Sequence, residues 1–122
     1  MKRGIVHVEI PSADLGRSSK FYGDLFGWKI TSVPEMHYAL WEPGEGPGGG
    51  FNPLGDDVKV GEVLIYVESE DIEADLQRAS GLGGSAIRTK TEIPGFGWFG
   101  LFRDPTGNVI GLYSAMQFQP AQ

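Results

Sequence analysis

The fold of this chain is decided by residues 4–28, which read GIVHVEIPSADLGRSSKFYGDLFGW. When the chain is shifted along itself so that Gly61 lies under Gly4, a second copy of the same pattern appears. Both copies contain a β-branched run, a capping residue, an amphipathic segment and then glycine. A repeat of this kind indicates two copies of one supersecondary unit, each of which needs the other to cover its apolar face.

Hydrophobic periodicity predicts a strand, a helix and three further strands in each copy. We expect Asp14 to cap the first helix, Gly27 to stop it, and Ser69 to cap the second. The predicted strands are residues 5–10, 28–33, 36–42, 49–54, 62–67, 86–91, 98–103 and 109–114. The first predicted helix follows Asp14 and ends near residue 26. The second predicted helix spans residues 71–80. Residues 43–50 (PGEGPGGG) are expected to be a connector.

The predicted fold class is α+β, with two βαβββ modules in one chain forming a curved mixed sheet around a cavity. Module one is residues 1–56, module two is residues 57–116, and residues 117–122 form a tail, all within a single domain. Helices would cover one face of each sheet and leave the other face to line a trough. The residues expected to face this trough are Ile5, His7, Glu9, Glu62, Leu64 and Tyr66.

Composition narrows the classes of partner. The net charge is −6 and no cluster of Lys or Arg occurs, which argues against nucleic acid or anionic lipid as a partner. The absence of cysteine excludes disulfides and thiolate chemistry and fits a cytoplasmic location. No apolar stretch is long enough to predict a membrane span.

Several motifs occur in a characteristic order along the chain. They are Asp14-Leu15, Phe21-Tyr22, Phe26-Gly27-Trp28, Gly83-Gly84 and the closing Asp104-Pro105-Thr106-Gly107-Asn108. Together they resemble the vicinal oxygen chelate superfamily, which includes glyoxalase I, extradiol dioxygenases and bleomycin resistance proteins. The resemblance implies paired βαβββ modules, a homodimer and a cavity for a small organic molecule.

The resemblance also implies where metal ligands would lie, on the first and last strands of each module. His7 and Glu62 are the candidate ligands, while Gly111 stands where metal-dependent members have Glu. The metal site is therefore expected to be incomplete, and a Gly111→Glu change is expected to restore some affinity. If an ion does bind, Ni, Mn, Zn or Fe would suit such ligands.

A metal-free alternative uses the same strand. His7 and Glu9 alternate onto one face, so that with Glu62 they are candidate catalytic residues for acid–base chemistry. Aromatic residues are the candidates for binding a substrate by stacking. These are Tyr38, Trp41, Phe51, Tyr66 and Trp98.

Three functions remain open from the sequence. The first is a glyoxalase/bleomycin-resistance/dioxygenase-like protein that binds a small molecule, with or without metal-free catalysis. The second is a metal-dependent lyase, isomerase or dioxygenase that uses His7 and Glu62. The third is a structural or regulatory protein that binds no ligand.

Overall fold

A computed structural model of the chain describes residues 2–116, so the predicted tail at residues 117–122 lies outside the described residues. No helix in this range is long and apolar enough to cross a membrane. Besides a 3-10 turn at Pro34–Met36, the described part contains two α-helices and eight strands. The strands are β1 (Ile5–Ser12), β2 (Lys29–Val33), β3 (Tyr38–Glu42), β4 (Gly48–Pro53), β5 (Leu64–Glu68), β6 (Ser85–Ile93), β7 (Gly97–Arg103) and β8 (Val109–Ala115). The helices are α1 (Leu15–Phe26) and α2 (Ile72–Gly81).

Both halves have the predicted order of one strand, one helix and three strands, which confirms the α+β class and the paired βαβββ modules. The chain divides into two compact units. One is residues 5–65, and the other is residues 66–116 together with the N-terminal residues 2–4.

Module one is a mixed sheet in the order β2-β3-β4-β1, with β1 and β4 parallel and the other pairs antiparallel. Side chains alternate between the two faces of a strand, so Val8 and Ile10 share one face of β1 while His7 and Glu9 share the other. Val8 and Ile10 pack into a core with Ala39, Trp41 and Phe51, to which α1 contributes Leu15 and Tyr22.

Helix α1 begins and ends as its sequence predicts. The Asp14 carboxylate accepts a hydrogen bond from the Arg17 backbone N–H, which satisfies a donor of the first turn. At the other end Gly27 adopts φ 73°, and its N–H bonds to the Gly23 carbonyl. These two local signals fix the length of the helix.

Module two is a mixed sheet in the order β5-β8-β7-β6, with β5 and β8 parallel. Helix α2 buries Ile72 and Leu76 against Leu112 of β8, and Val67, Trp98 and Phe102 pack around them. The covered face of this sheet is therefore the one that carries Val67, so Tyr66 points to the opposite face.

The pairing registers confirm that the modules are copies. Glu9 lies opposite Gly50 in module one, and Tyr66 lies opposite Gly111 in module two. A matching bridge ties the end of the first strand of each module to the first turn of its helix. It is Ser12 Oγ to Ser18 Oγ at 2.6 Å in module one and Ser69 Oγ to Asp75 Oδ2 at 2.6 Å in module two.

Three local predictions are corrected. Strand β4 begins at Gly48, inside the predicted connector, because its glycines pair with β1 and β3. Strand β5 begins at Leu64, since Glu62 belongs to a turn in which its N–H bonds to the Lys59 carbonyl. The cap of α2 is Asp71 and not Ser69, whose hydroxyl donates to Asp75 instead.

Candidate functional site

The face of module one opposite α1 carries a chain of hydrogen-bonded polar side chains, which we call the His7 face: His7, Glu9, Tyr38 and Asn52. His7 Nε2 lies 2.8 Å from Tyr38 Oη, and Tyr38 Oη lies 2.8 Å from Glu9 Oε2, to which it donates. Asn52 Nδ2 donates to the other Glu9 oxygen at 3.4 Å. All four side chains are half-buried. Three strands thus hold one connected set of groups that donate and accept hydrogen bonds.

Gly50 creates the space that brings Tyr38 to this chain. Gly50 lies on β4 between Glu9 of β1 and Leu40 of β3. A Cβ at this position would lie 2.1 Å from the Tyr38 ring and its hydroxyl oxygen. Because Gly50 has no side chain, the ring lies flat across β4 and its hydroxyl reaches β1.

The directions of the hydrogen bonds fix the tautomer of His7. An ionised carboxylate only accepts, so the single Tyr38 proton goes to Glu9 and His7 Nε2–H must donate to Tyr38 Oη. In the neutral ring Nδ1 then carries the lone pair. Burial lowers the pKa of the His7 imidazole below its ordinary value, which favours this neutral form at physiological pH.

Comparisons with known proteins agree with this architecture. The family described as bleomycin resistance protein-like N-terminal matches residues 4–44, which include His7, Glu9 and Tyr38. A glyoxylase-like domain-containing protein of Didymella fabae is 28% identical over 113 residues, covering 86% of this chain and 88% of that protein.

Two solved structures share the fold over almost the whole chain. Methylmalonyl-CoA epimerase from Mycobacterium tuberculosis superposes with a TM-score of 0.72 at 18% identity, covering 93% of this chain and 89% of that one. A glyoxalase/bleomycin resistance protein/dioxygenase superfamily member from Vibrio splendidus 12B01 gives 0.65 at 15% identity, covering 92% and 98%. The chain has the vicinal oxygen chelate fold.

On this vicinal oxygen chelate fold, the described residues of the chain do not assemble a site that fits a resident metal ion. Within residues 2–116, no three His, Asp or Glu side chains gather in a group that could hold an ion. Glu62, a predicted ligand and catalytic residue, is exposed in the turn before β5 and not on a strand. His7 and Glu9 are engaged through Tyr38.

A tyrosine ring fills the position that the sequence analysis assigned to a lost metal ligand. Gly111 of β8 lies opposite Tyr66 of β5, and a Cβ on Gly111 would lie 2.3 Å from the Tyr66 ring. A glutamate at this position would have to displace the side chain of Tyr66, a residue that is only 7% exposed. The expectation that Gly111→Glu restores metal affinity therefore disagrees with the packing.

The other aromatic candidates lie on the helix-covered faces. Trp41 and Phe51 are buried in the core under α1, and the Trp28 and Trp41 rings stack with centroids 4.1 Å apart. Trp98 packs against the α2 core of module two. These placements differ from the predicted substrate lining, whereas Tyr38 does lie on the same face as His7. Alternation along β3 already separates Tyr38 from Trp41, so the sequence contained this signal.

Asn52 and Gly50 were missed by the sequence analysis. Both belong to the glycine-rich segment whose strand character becomes visible only through its pairing with β1. Once β4 is known to begin at Gly48, alternation places Gly48, Gly50 and Asn52 on the face of His7.

Proposed function

We propose that the His7 face binds a small organic molecule, so that the chain acts as a glyoxalase/bleomycin-resistance/dioxygenase-like binding protein without a resident metal. The observation that carries this proposal is the half-buried chain from His7 through Tyr38 to Glu9. Half-buried polar groups that converge on one sheet face give a ligand both direction and specificity. The family match over residues 4–44 supports this proposal, because the matched part of the chain contains His7, Glu9 and Tyr38.

A second candidate function is metal-free proton transfer, of the kind that a lyase or isomerase requires. The neutral His7 imidazole would accept a proton from the substrate, and the resulting imidazolium would be stabilised through Tyr38 by the Glu9 carboxylate. The tautomer and the lowered pKa of His7 favour this reading, because a base must be unprotonated before it acts.

The binding proposal is tested with probes suggested by the relatives, bleomycin and methylmalonyl-CoA, and with isotope-labelled protein. We expect at least one probe to shift the His7 ring resonances saturably. Tyr38→Phe removes the hydroxyl that links His7 to Glu9 and should weaken that binding by roughly five- to tenfold, the effect of one hydrogen bond.

Tyr113→Phe is the matched control. It removes a tyrosine hydroxyl that bonds to the Phe96 carbonyl in module two and should leave the affinity unchanged. Equal affinities for Tyr38→Phe and the unmodified protein would contradict the proposed site. Turnover in a metal-free buffer that is lost in His7→Gln would favour the enzymatic candidate.

A further inference from the structure

A groove lies on the helix-covered side of module two, between α2 and the β6–β7 hairpin. Its volume is about 620 Å³. Trp98 and Leu76 provide apolar surface, and Glu73, Lys90 and Glu92 provide charge. This groove involves none of the His7-face residues, so the inference below does not depend on the proposed function.

On the helix-covered side, module two has small residues at two positions where module one has large ones. In module one Tyr22 of α1 stacks on Trp28 and Phe51 and fills the space under the helix. The aligned residue of α2 is Ala79. The pairing of the strands gives a second difference. In module one Ile30 of β2 lies opposite Trp41 of β3, whereas in the corresponding pair of module two Ala86 of β6 lies opposite Phe102 of β7.

The length of the hairpin extends the groove. Strand β6 has nine residues, whereas its counterpart β2 has five. The far end of β6, with Lys90 and Glu92, reaches the rim of the groove. The opposite rim is formed by the outer side of α2, where Glu73, Gln77 and Ser80 lie.

The Trp98 ring already holds an ammonium group. Lys90 Nζ lies 5.2 Å from the ring centroid, a distance at which the ring quadrupole attracts a cation. Glu92 is paired with Trp98 across the β6–β7 ladder, and its side chain lines the same groove. Glu73 adds a second carboxylate from the helix side.

We infer that this groove binds a small organic ammonium ion, whose charged nitrogen lies over the Trp98 ring between the Glu73 and Glu92 carboxylates. Lys90 is an internal competitor that occupies the ring face when no ligand is bound. The chain's net charge of −6 favours the approach of cations over anions. The apolar part of the ligand would rest on Leu76 and Ala86.

The test uses benzyltrimethylammonium as the probe and the indole N–H resonance of Trp98, assigned with Trp98→Phe, as the readout. We expect a saturable shift of this resonance. Lys90→Thr removes the competing ammonium and should tighten binding about two- to fivefold, the equivalent of one exposed cation–π contact. Glu92→Gln should weaken binding.

Lys59→Thr is the control for charge, since it removes the same charge from an exposed turn outside the groove. Benzoate is the control for the sign of the ligand and should not bind. The inference is overturned if the Trp98 resonance does not shift saturably, or if benzoate binds as tightly as the ammonium probe. Equal gains from Lys90→Thr and Lys59→Thr would also overturn it, because the effect would then be one of net charge.

Discussion

Gly50 and Tyr38 show how one missing side chain shapes the His7 face. The Tyr38 ring lies so close to Gly50 that a Cβ added there would be only 2.1 Å from the ring atoms. Well-packed interiors do not absorb such an overlap without shifting backbone or side chains. The identity of residue 50 therefore decides whether the Tyr38 hydroxyl reaches Glu9.

We expect Gly50→Ala to lower the free energy of unfolding by about 1–3 kcal/mol, the usual effect of overpacking. Urea denaturation measures this change. Gly55→Ala is the control, because a Cβ there has no atom within 4 Å, and it should change stability by less than about 0.5 kcal/mol.

A double mutant separates the Tyr38 contact from a general intolerance of strand β4. In a Tyr38→Ala background the space beside residue 50 is open, so Gly50→Ala should cost much less than it does alone. If Gly50→Ala lowers the free energy of unfolding equally in both backgrounds, overlap with the Tyr38 ring is not the cause of the destabilisation.

The burial of His7 predicts a pH dependence of stability. Its pKa is lowered from 6.5 in the folded protein, so the unfolded chain binds more protons in the window below that value. The stability that neutral His7 allows is therefore complete above pH 6.5 and is lost as the pH falls and the imidazole must take up a proton. We expect the free energy of unfolding to decrease as the pH falls from about 6.5.

The variant His7→Gln keeps a side-chain donor for Tyr38 but does not titrate, so its stability should depend less on pH in this range. His37→Gln is the control, since His37 is exposed beside the 3-10 turn. Urea denaturation across the range would contradict the prediction if His7→Gln and the unmodified protein had equal slopes.

At the scale of elements, the β7–β8 turn is held by one carboxylate. Asp104 accepts hydrogen bonds from the Asn108 backbone and side chain and from Thr106. These bonds hold the pKa of Asp104 at about 2, below its ordinary 3.8. Its stabilising effect is therefore complete above pH 3.8 and is lost as the pH falls towards about 2.

We expect Asp104→Asn to lower the melting temperature at neutral pH and to flatten the acid side of the stability profile. Thermal unfolding followed by circular dichroism measures both effects. Asp56→Asn, in the exposed loop after β4, serves as the control. An unchanged acid profile for Asp104→Asn would mean that other carboxylates dominate acid unfolding.

The boundaries of these helices and strands show which structural features the sequence predicts. The Asp14 cap, the Gly27 stop and the Asp104 turn act over at most four residues, so the sequence specifies them directly. The start of β4 was predicted less well, because glycines have no strand preference and Gly48 becomes strand only by pairing with His7. Ser69 does not cap α2, because its hydroxyl donates to the Asp75 side chain while Asp71 accepts from the backbone of the first turn.

At the scale of the whole molecule, the proposed function predicts how added metal ions affect the melting temperature. The proposed function requires no ion, so Ni²⁺, Mn²⁺ or Zn²⁺ should leave the melting temperature unchanged. An ion at one hundred times its Kd would add about 2.7 kcal/mol of stability. A metal-induced rise that disappears in His7→Gln would instead support the metal-dependent reading.

The resemblance implies a homodimer, and we propose the outer side of α1 as the surface through which the chain self-associates. Phe21 and Leu25 are each 58% exposed and lie one turn apart on this helix. Phe21→Lys should lower the dimer fraction in analytical ultracentrifugation, while Ala74→Lys, at an exposed position of α2, should not. Equal sedimentation of Phe21→Lys and the unmodified protein would exclude this surface.

The sequence by itself determined the repeat, the order of elements, the α1 caps and the final turn, because these depend on periodicity and on contacts between near neighbours. It also placed His7 and Glu9 on one strand face. Only the tertiary structure decided that Tyr38 joins them, that Trp41 and Phe51 belong to the core, and that Tyr66 lies on Gly111. The physical reason is that a ring fills whatever space a glycine leaves on a neighbouring strand, and that space is defined only when distant segments pair.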